Sequence, residues 1–252
     1  MDIQTQTTME PSSGGAGDAT RPGTDRFDWL HASAYMGGWQ FGEQGVLEDI
    51  FAVIGTTNSY CVEFGAGDGG TLPLTCGRFI DEGWDALLIE PVSEHCGHLN
   101  DRYGTKVKIL NRAVGLTPAD GLDAILKESG APSAPDLAVI DVDSTEYYIW
   151  RALTEYRPRV VCIEHMDLEY QGPEADDADP PAIDDCGKRI ANTEGFVLQA
   201  SARAIRALAE SKGYVAVFTS RCNTIFVRSE DAEKLARPLV RLNIGCGERH
   251  IE

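Results

Sequence analysis

The chain is 252 residues long and 42% hydrophobic, which suffices for one sizeable α/β core but not for two. Its 22 Lys and Arg are outnumbered by 40 Asp and Glu. The resulting formal charge of −18 repels phosphate backbones and anionic lipid, so neither nucleic acid nor a membrane is an expected partner. No apolar run reaches the roughly 18 to 20 residues a membrane helix requires, and the start of the chain lacks the charged and apolar regions of a signal peptide.

In chain order, residues 1–26 are rich in Thr, Ser, Gly and Pro and cannot offset the entropy of ordering, so they are expected to form a disordered tail. Residues 27–58 read as an amino-terminal helical cover, with Val46, Leu47, Ile50 and Ile54 at helical spacing. The main domain is expected over 59–235. Its apolar runs at Tyr60 to Phe64, Ala86 to Glu90, Val107 to Leu110, Leu137 to Asp141 and Val160 to Glu164 alternate with helix-length stretches at Thr71 to Glu82, Val92 to Tyr103, Gly121 to Glu128 and Thr145 to Tyr156. That alternation predicts an α/β fold, a three-layer αβα sandwich around a parallel sheet with right-handed crossovers. Functional residues then gather at the carboxyl ends of the strands, here Glu63, Glu90, Asn111, Asp141 and Glu164, all polar. The long acidic, Pro-containing stretch from Met166 to about Phe196 reads as a lid. An amphipathic helix stopped by Gly213 follows, and strands at Tyr214 to Thr219 and Thr224 to Arg228 form a closing hairpin. The tail 236–252 carries Leu242-Asn243-Ile244-Gly245-Cys246-Gly247, which reads either as the remnant of a second glycine-loop module or as an accidental Gly-rich tail, and no binding role is assigned to it. The seven cysteines (Cys61, Cys76, Cys96, Cys162, Cys186, Cys222, Cys246) are odd in number and form no C-x-x-C pair. They read as buried thiols in a reducing cytoplasm, where the protein is expected to reside.

The first strand runs into a glycine-rich turn, Glu63-Phe64-Gly65-Ala66-Gly67-Asp68-Gly69-Gly70, and the helix after it is expected to offer free N–H groups. Two cofactor classes fit. Gly65, Gly67 and Gly70 satisfy the G-x-G-x-x-G dinucleotide fingerprint, while Glu63 and Asp68 are similar to motif I of class I S-adenosylmethionine (SAM) methyltransferases. Glu90, 21 residues after Gly69, can accept hydrogen bonds from both ribose hydroxyls of either cofactor. Ile140-Asp141-Val142-Asp143 separates the classes, because carboxylates suit the sulfonium and ammonium of SAM better than they suit a nicotinamide.

The ordered set Trp39-Gln40-Phe41-Gly42-Glu43, Val62 to Gly69, Leu88-Ile89-Glu90-Pro91, Ile140 to Asp143, Arg157 to Glu164 and Ser211-Lys212-Gly213-Tyr214 resembles the bacterial FkbM-like class I SAM-dependent methyltransferases over roughly Gln40 to Arg228. The resemblance implies a seven-stranded Rossmann-like sheet, mostly parallel with the last strand antiparallel, and methyl transfer to a small-molecule acceptor, such as oxygen of a sugar or specialised metabolite. The cofactor-binding set it implies is Gln40, Glu43, Glu63, Gly65, Ala66, Gly67, Asp68, Gly69, Glu90, Asn111, Ala113 and Asp141, with Asn111 near the adenine and Gln40 and Glu43 over the methionine end. Ser144 and His165-Met166 depart from the residues common in such relatives, which leaves the acceptor open.

Methyl transfer is an in-line displacement dominated by positioning, and a hydroxyl acceptor also needs a base or a metal. Asp141, Glu164 and His165 are the candidate catalytic residues, His165 as general base. The same three, with Asp143 and Asp167 nearby, form a candidate Mg²⁺ site; alternatively the carboxylates line the cofactor and acceptor pockets without metal. His31, His95, His98 and His250 read as surface or helix residues. A homodimer is a further expected partner. Two other functions stay open: a non-catalytic SAM-fold binding module, and an NAD-linked oxidoreductase, which leaves Asp141, Asp143 and Glu164 unexplained.

Overall fold

The computed structural model describes residues 25–34, 42–70, 74–143, 145–165 and 199–236. Seven strands, β1 (Tyr60–Phe64), β2 (Asp85–Ile89), β3 (Lys108–Leu110), β4 (Leu137–Ile140), β5 (Val160–Glu164), β6 (Tyr214–Thr219) and β7 (Asn223–Arg228), form one sheet in the order β3-β2-β1-β4-β5-β7-β6. β1 to β5 pair in parallel, and β7 lies antiparallel to both β5 and β6. The strands lie where the apolar runs place them, and the antiparallel last strand agrees with the expected architecture.

The central strands are apolar on both faces because helices cover both. Cys61, Val139 and Cys162 point into one core; Val62, Phe64, Ala138, Ile140, Val161 and Ile163 point into the other, as the two-residue period of a strand requires. A 3₁₀ turn at Asp25–Leu30 and helices α1 (His31–Ala34), α2 (Glu43–Ile54), α3 (Gly77–Asp81), α4 (Ser93–Tyr103) and α8 (Ser229–Leu235) lie on the first side. Helices α5 (Leu122–Ser129), α6 (Glu146–Ala152) and α7 (Ala202–Ser211) cover the second. Ser201 caps α7 by accepting from the Ala204 N–H, and Gly130 ends α5 in the left-handed region.

One helix differs from the sequence reading. Of the helix expected from Thr71 to Glu82, the described part is Gly77–Asp81, and Leu74, Thr75 and Cys76 before it are not helical. The reason lies in Glu63: its carboxylate accepts the N–H groups of Thr75 (2.9 Å) and Cys76 (2.8 Å), fixing an irregular approach to the helix.

At the amino-terminal edge of the sheet, fully buried Asp136 accepts the N–H groups of Thr57, Asn58 and Ser59 at 2.7–3.0 Å and pairs with Arg159 at 2.8 Å. Arg159 also pairs with Asp231 (3.0 Å) and donates to the carbonyls of Gly55 and Ile54. This network joins the end of α2, the starts of β4 and β5, and α8. Cys61, Cys76, Cys96 and Cys162 are buried free thiols, and Cys222 is half-buried. Among the described residues no helix is long and apolar enough to cross a membrane. The expected lid, Trp39 and Gln40, Cys186, His250, the terminal tail 1–24 and the LNIGCG segment lie outside the described residues.

Candidate functional site

A crevice of 390 Å³ opens over the carboxyl ends of β1, β2, β4 and β5. β1 connects through β2 on one side and neighbours β4 on the other, so the crevice sits where the strand order reverses, the usual ligand position in such sheets. Glu63, Gly65, Ala66, Gly67, Glu90, Asp141 and Glu164 reach it from the sequence-derived set, together with Asp143. Pro91, Val92 and His95 line the side beyond β2.

Gly65 is where the backbone geometry is tightest. Its φ is +77°, and a Cβ there would lie 1.4 Å from the Asp141 carbonyl oxygen. The tips of β1 and β4 therefore touch through a position open to glycine alone. Four of the turn's N–H groups are taken up within the chain. Those of Gly65 and Ala66 donate to the Ile89 carbonyl, that of Gly67 to Glu90 Oε2 (2.9 Å), and that of Gly70 to Asp68 Oδ1 (2.9 Å). Glu90 Oε1 accepts from the Val92 N–H (2.8 Å), so a nearly buried Glu90 is held by one backbone donor on each oxygen. Each carboxylate oxygen retains a lone pair for a ligand hydroxyl.

On the opposite side of the crevice are three carboxylates. Asp141, Asp143 and Glu164 each offer an oxygen, all within 4.8 Å of one another. Asp143 adopts φ +60°, a left-handed conformation that Asp tolerates better than most residues. Burial, then the charge of Asp143, pushes Asp141 up to about 6. Burial, then the charges of Asp141, Glu146 and Asp143, pushes Glu164 up to about 9. The two side chains are hydrogen bonded, so the pair holds one proton between them near neutral pH. Gln199 Nε2 donates to Glu164 Oε2. Glu63, on the crevice floor, is raised to about 7 chiefly by burial, against the opposing hydrogen bonds of Cys76 and Thr75.

Several expected site residues sit elsewhere. Asn111 is exposed and uses its amide to hold the Glu90 and Pro91 carbonyls (3.0 and 2.9 Å); neither it nor Ala113 lines the crevice. Asp68 makes a local turn, and Gly69 packs against Leu99. Buried Glu43 accepts from Ser220 (2.6 Å) and Asn223 (3.2 Å), tying α2 to the β6–β7 turn. His165 is fully buried and outside both the crevice lining and the oxygen trio. Its N–H donates to the Cys222 carbonyl, which continues the β5–β7 pairing and carries the residue inward instead of to the crevice mouth.

His95, expected as a surface or helix residue, is on a helix and also lines the crevice. It lies in the first turn of α4, which leads away from the Glu90 strand tip, and its Nδ1 is 3.4 Å from Glu90 Oε1. Its position five residues after Glu90, where a helix leaves a functional strand end, is the signal that could have placed it.

The trio's protonation gives a pH prediction. The unfolded chain releases the Glu164 proton near 4.5, whereas the folded chain holds it to about 9, so the folded state binds more protons across that window. Stability therefore falls as pH rises through it. Glu164→Gln is expected to flatten this slope, melting above the parent at alkaline pH and with it in acid. Thermal unfolding across pH measures this; parallel curves for the two proteins would remove the shared proton.

No protein-family model matches the chain, and no curated protein matches it. Solved structures with a similar fold include three methyltransferases. The N-methyltransferase NodS of Bradyrhizobium japonicum WM9, in complex with S-adenosylhomocysteine, is 10% identical at a TM-score of 0.46, over 81% of this chain and 98% of that one. Magnesium protoporphyrin IX methyltransferase from Synechocystis PCC 6803 is 12% identical at 0.42, over 81% and 94%. An O-methyltransferase family protein from Burkholderia thailandensis is 12% identical at 0.42, over 81% of this chain; the chain spans 59% of that protein's length.

Proposed function

We propose that the protein is a SAM-dependent methyltransferase, acting on oxygen of a sugar or specialised-metabolite acceptor in the manner of the FkbM-like enzymes. One observation carries the choice of cofactor. A dinucleotide needs backbone N–H groups for its pyrophosphate, yet the N–H groups of Gly65, Ala66, Gly67, Gly70, Thr75 and Cys76 are engaged by the chain's own carbonyls and carboxylates. Among the described lining residues there is no Lys or Arg, and five carboxyl side chains face the crevice, the Asp141–Glu164 pair sharing one proton. Such walls favour a donor with a positively charged sulfur and an ammonium group.

In this reading Glu90 takes the ribose hydroxyls, and the exposed Val92 beside Pro91 offers an apolar surface to the base. The acceptor oxygen approaches from the Asp141 side, in line with the carbon–sulfur bond of the methyl group. A new carbon–oxygen bond forms, the carbon–sulfur bond breaks with its electron pair returning to sulfur, and the acceptor proton passes to Asp141. That carboxylate is largely ionised at neutral pH, which makes it a better base here than the enclosed His165. Asp141, Asp143 and Glu164 are the residues that would hold Mg²⁺, since hard oxygens suit that ion. When bound it would supply acidification of an acceptor hydroxyl. The buried free thiols fit a reducing cytoplasm.

Isothermal titration with SAM and S-adenosylhomocysteine, with and without Mg²⁺, tests the reading; no binding at millimolar ligand would end it. Binding without transfer to any acceptor would leave a non-catalytic module. Glu90→Ala removes two charge-assisted bonds to the ribose, so affinity is expected to fall about 10- to 100-fold. An unchanged dissociation constant would displace Glu90 from the ribose.

A further inference from the structure

We infer that His95 is a nucleoside-recognition residue of the crevice, accepting a hydrogen bond through Nε2 from the adenosine part of the cofactor. This rests on the methyltransferase reading above and assigns a contact within that site.

Three observations carry it. His95 lines the crevice beside Glu90, Pro91 and Val92, away from the Asp141 trio, so it stands at the ribose and base end. Its Nδ1 is buried and forms no hydrogen bond, although Glu90 Oε1 is 3.4 Å away. The side chain as a whole is 34% exposed, so the exposure belongs to atoms beyond Nδ1.

The tautomer follows from the neighbour. A bare Nδ1 facing a carboxylate oxygen sets two acceptors against each other, whereas Nδ1–H faces it favourably. In the neutral ring this leaves Nε2 as an acceptor directed away from Glu90. With both ribose hydroxyl protons taken by Glu90, the donor that an adenosine has left at this end of the crevice is its 6-amino group. His95 thereby holds the base beside the ribose that Glu90 holds.

The two ring nitrogens can be tested separately. An Asn side chain reproduces the Nδ1 position but not Nε2, and a Gln side chain reaches the Nε2 position. With the full chain and S-adenosylhomocysteine as the titrated probe, His95→Ala and His95→Asn are expected to weaken binding about 5- to 10-fold, with His95→Gln within about twofold of the parent. All three should melt with the parent, since the side chain is partly exposed and outside both cores. Unchanged affinity in all three variants overturns the contact. So does restoration by Asn, which would mean that His95 acts on Glu90 alone, and so does a Gln variant as weak as Ala. A parent protein that fails to bind the probe removes the methyltransferase reading itself, a result distinct from any of these.

Discussion

Gly65→Ala is expected to abolish cofactor binding and to cost at least about 3 kcal/mol of stability, from overpacking combined with a left-handed backbone. The added methyl would overlap the Asp141 carbonyl oxygen, at 1.4 Å. That oxygen cannot step aside, because it belongs to backbone at the tip of β4, whose Asp141 N–H is bonded to the Phe64 carbonyl. Relief requires separating the ends of β1 and β4, and those ends carry Glu63 and Asp141 into the crevice. In a domain of this size the loss is expected to lower the melting temperature by roughly 6–12 °C. Gly130→Ala is the control. Gly130 also has a positive φ (+71°), but nothing lies within 4 Å of its added Cβ, so only the backbone penalty of about 1 kcal/mol applies. Similar melting of the two variants would refute the close approach of the strand tips.

Arg159→Ala is expected to destabilise the fold by about 3–5 kcal/mol, the cost of leaving a buried carboxylate without its partner. Asp136 is fully buried, and Asp231 is 6% exposed. Burial pushes both carboxyls up, yet both are held below the usual range. Arg159 with the N–H groups of Asn58 and Thr57 outweighs burial at Asp136, and Arg159 with Lys234 does so at Asp231. A depressed folded pKa contributes stability that is present above the unfolded value of 3.8 and lost as pH falls through the folded one. The difference between parent and variant should therefore be full at neutral pH and shrink in acid, which urea unfolding at several pH values measures. The network lies at the amino-terminal edge of the sheet, opposite the crevice. Cofactor affinity of the folded fraction should be unaltered, and a parallel loss of affinity would show that the two ends are coupled.

The sheet was legible because its signals are local. Tyr60-Cys61-Val62-Glu63-Phe64 and Leu137-Ala138-Val139-Ile140 are strand-length apolar runs, and their continuous hydrophobicity marks strands buried on both faces. Glu90, Asp141 and Glu164 stand where such runs end, so a parallel sheet delivers them to one side. Their meeting with Glu63 in a single crevice follows from that geometry. Asn111 ends a strand by the same pattern but turns its amide back onto the Glu90 and Pro91 carbonyls, a choice set by partners no local pattern reveals.

The sequence by itself determined the strand and helix succession, the glycine turn, the acidic strand tips and the surface charge, all of which depend on residues within a turn or a strand of one another. Only the tertiary structure decided how the polar groups were spent. Glu90 took the Gly67 N–H of the glycine turn and Glu63 those of the approach to α3, the Asp141–Glu164 pair kept a proton, His165 went inside, and His95 came to the crevice. Arg159 likewise found Asp136 and Asp231, 23 and 72 residues away in the chain. Burial and hydrogen-bond partnership are properties of what the fold brings within about 3 Å, and distance along the chain does not encode them.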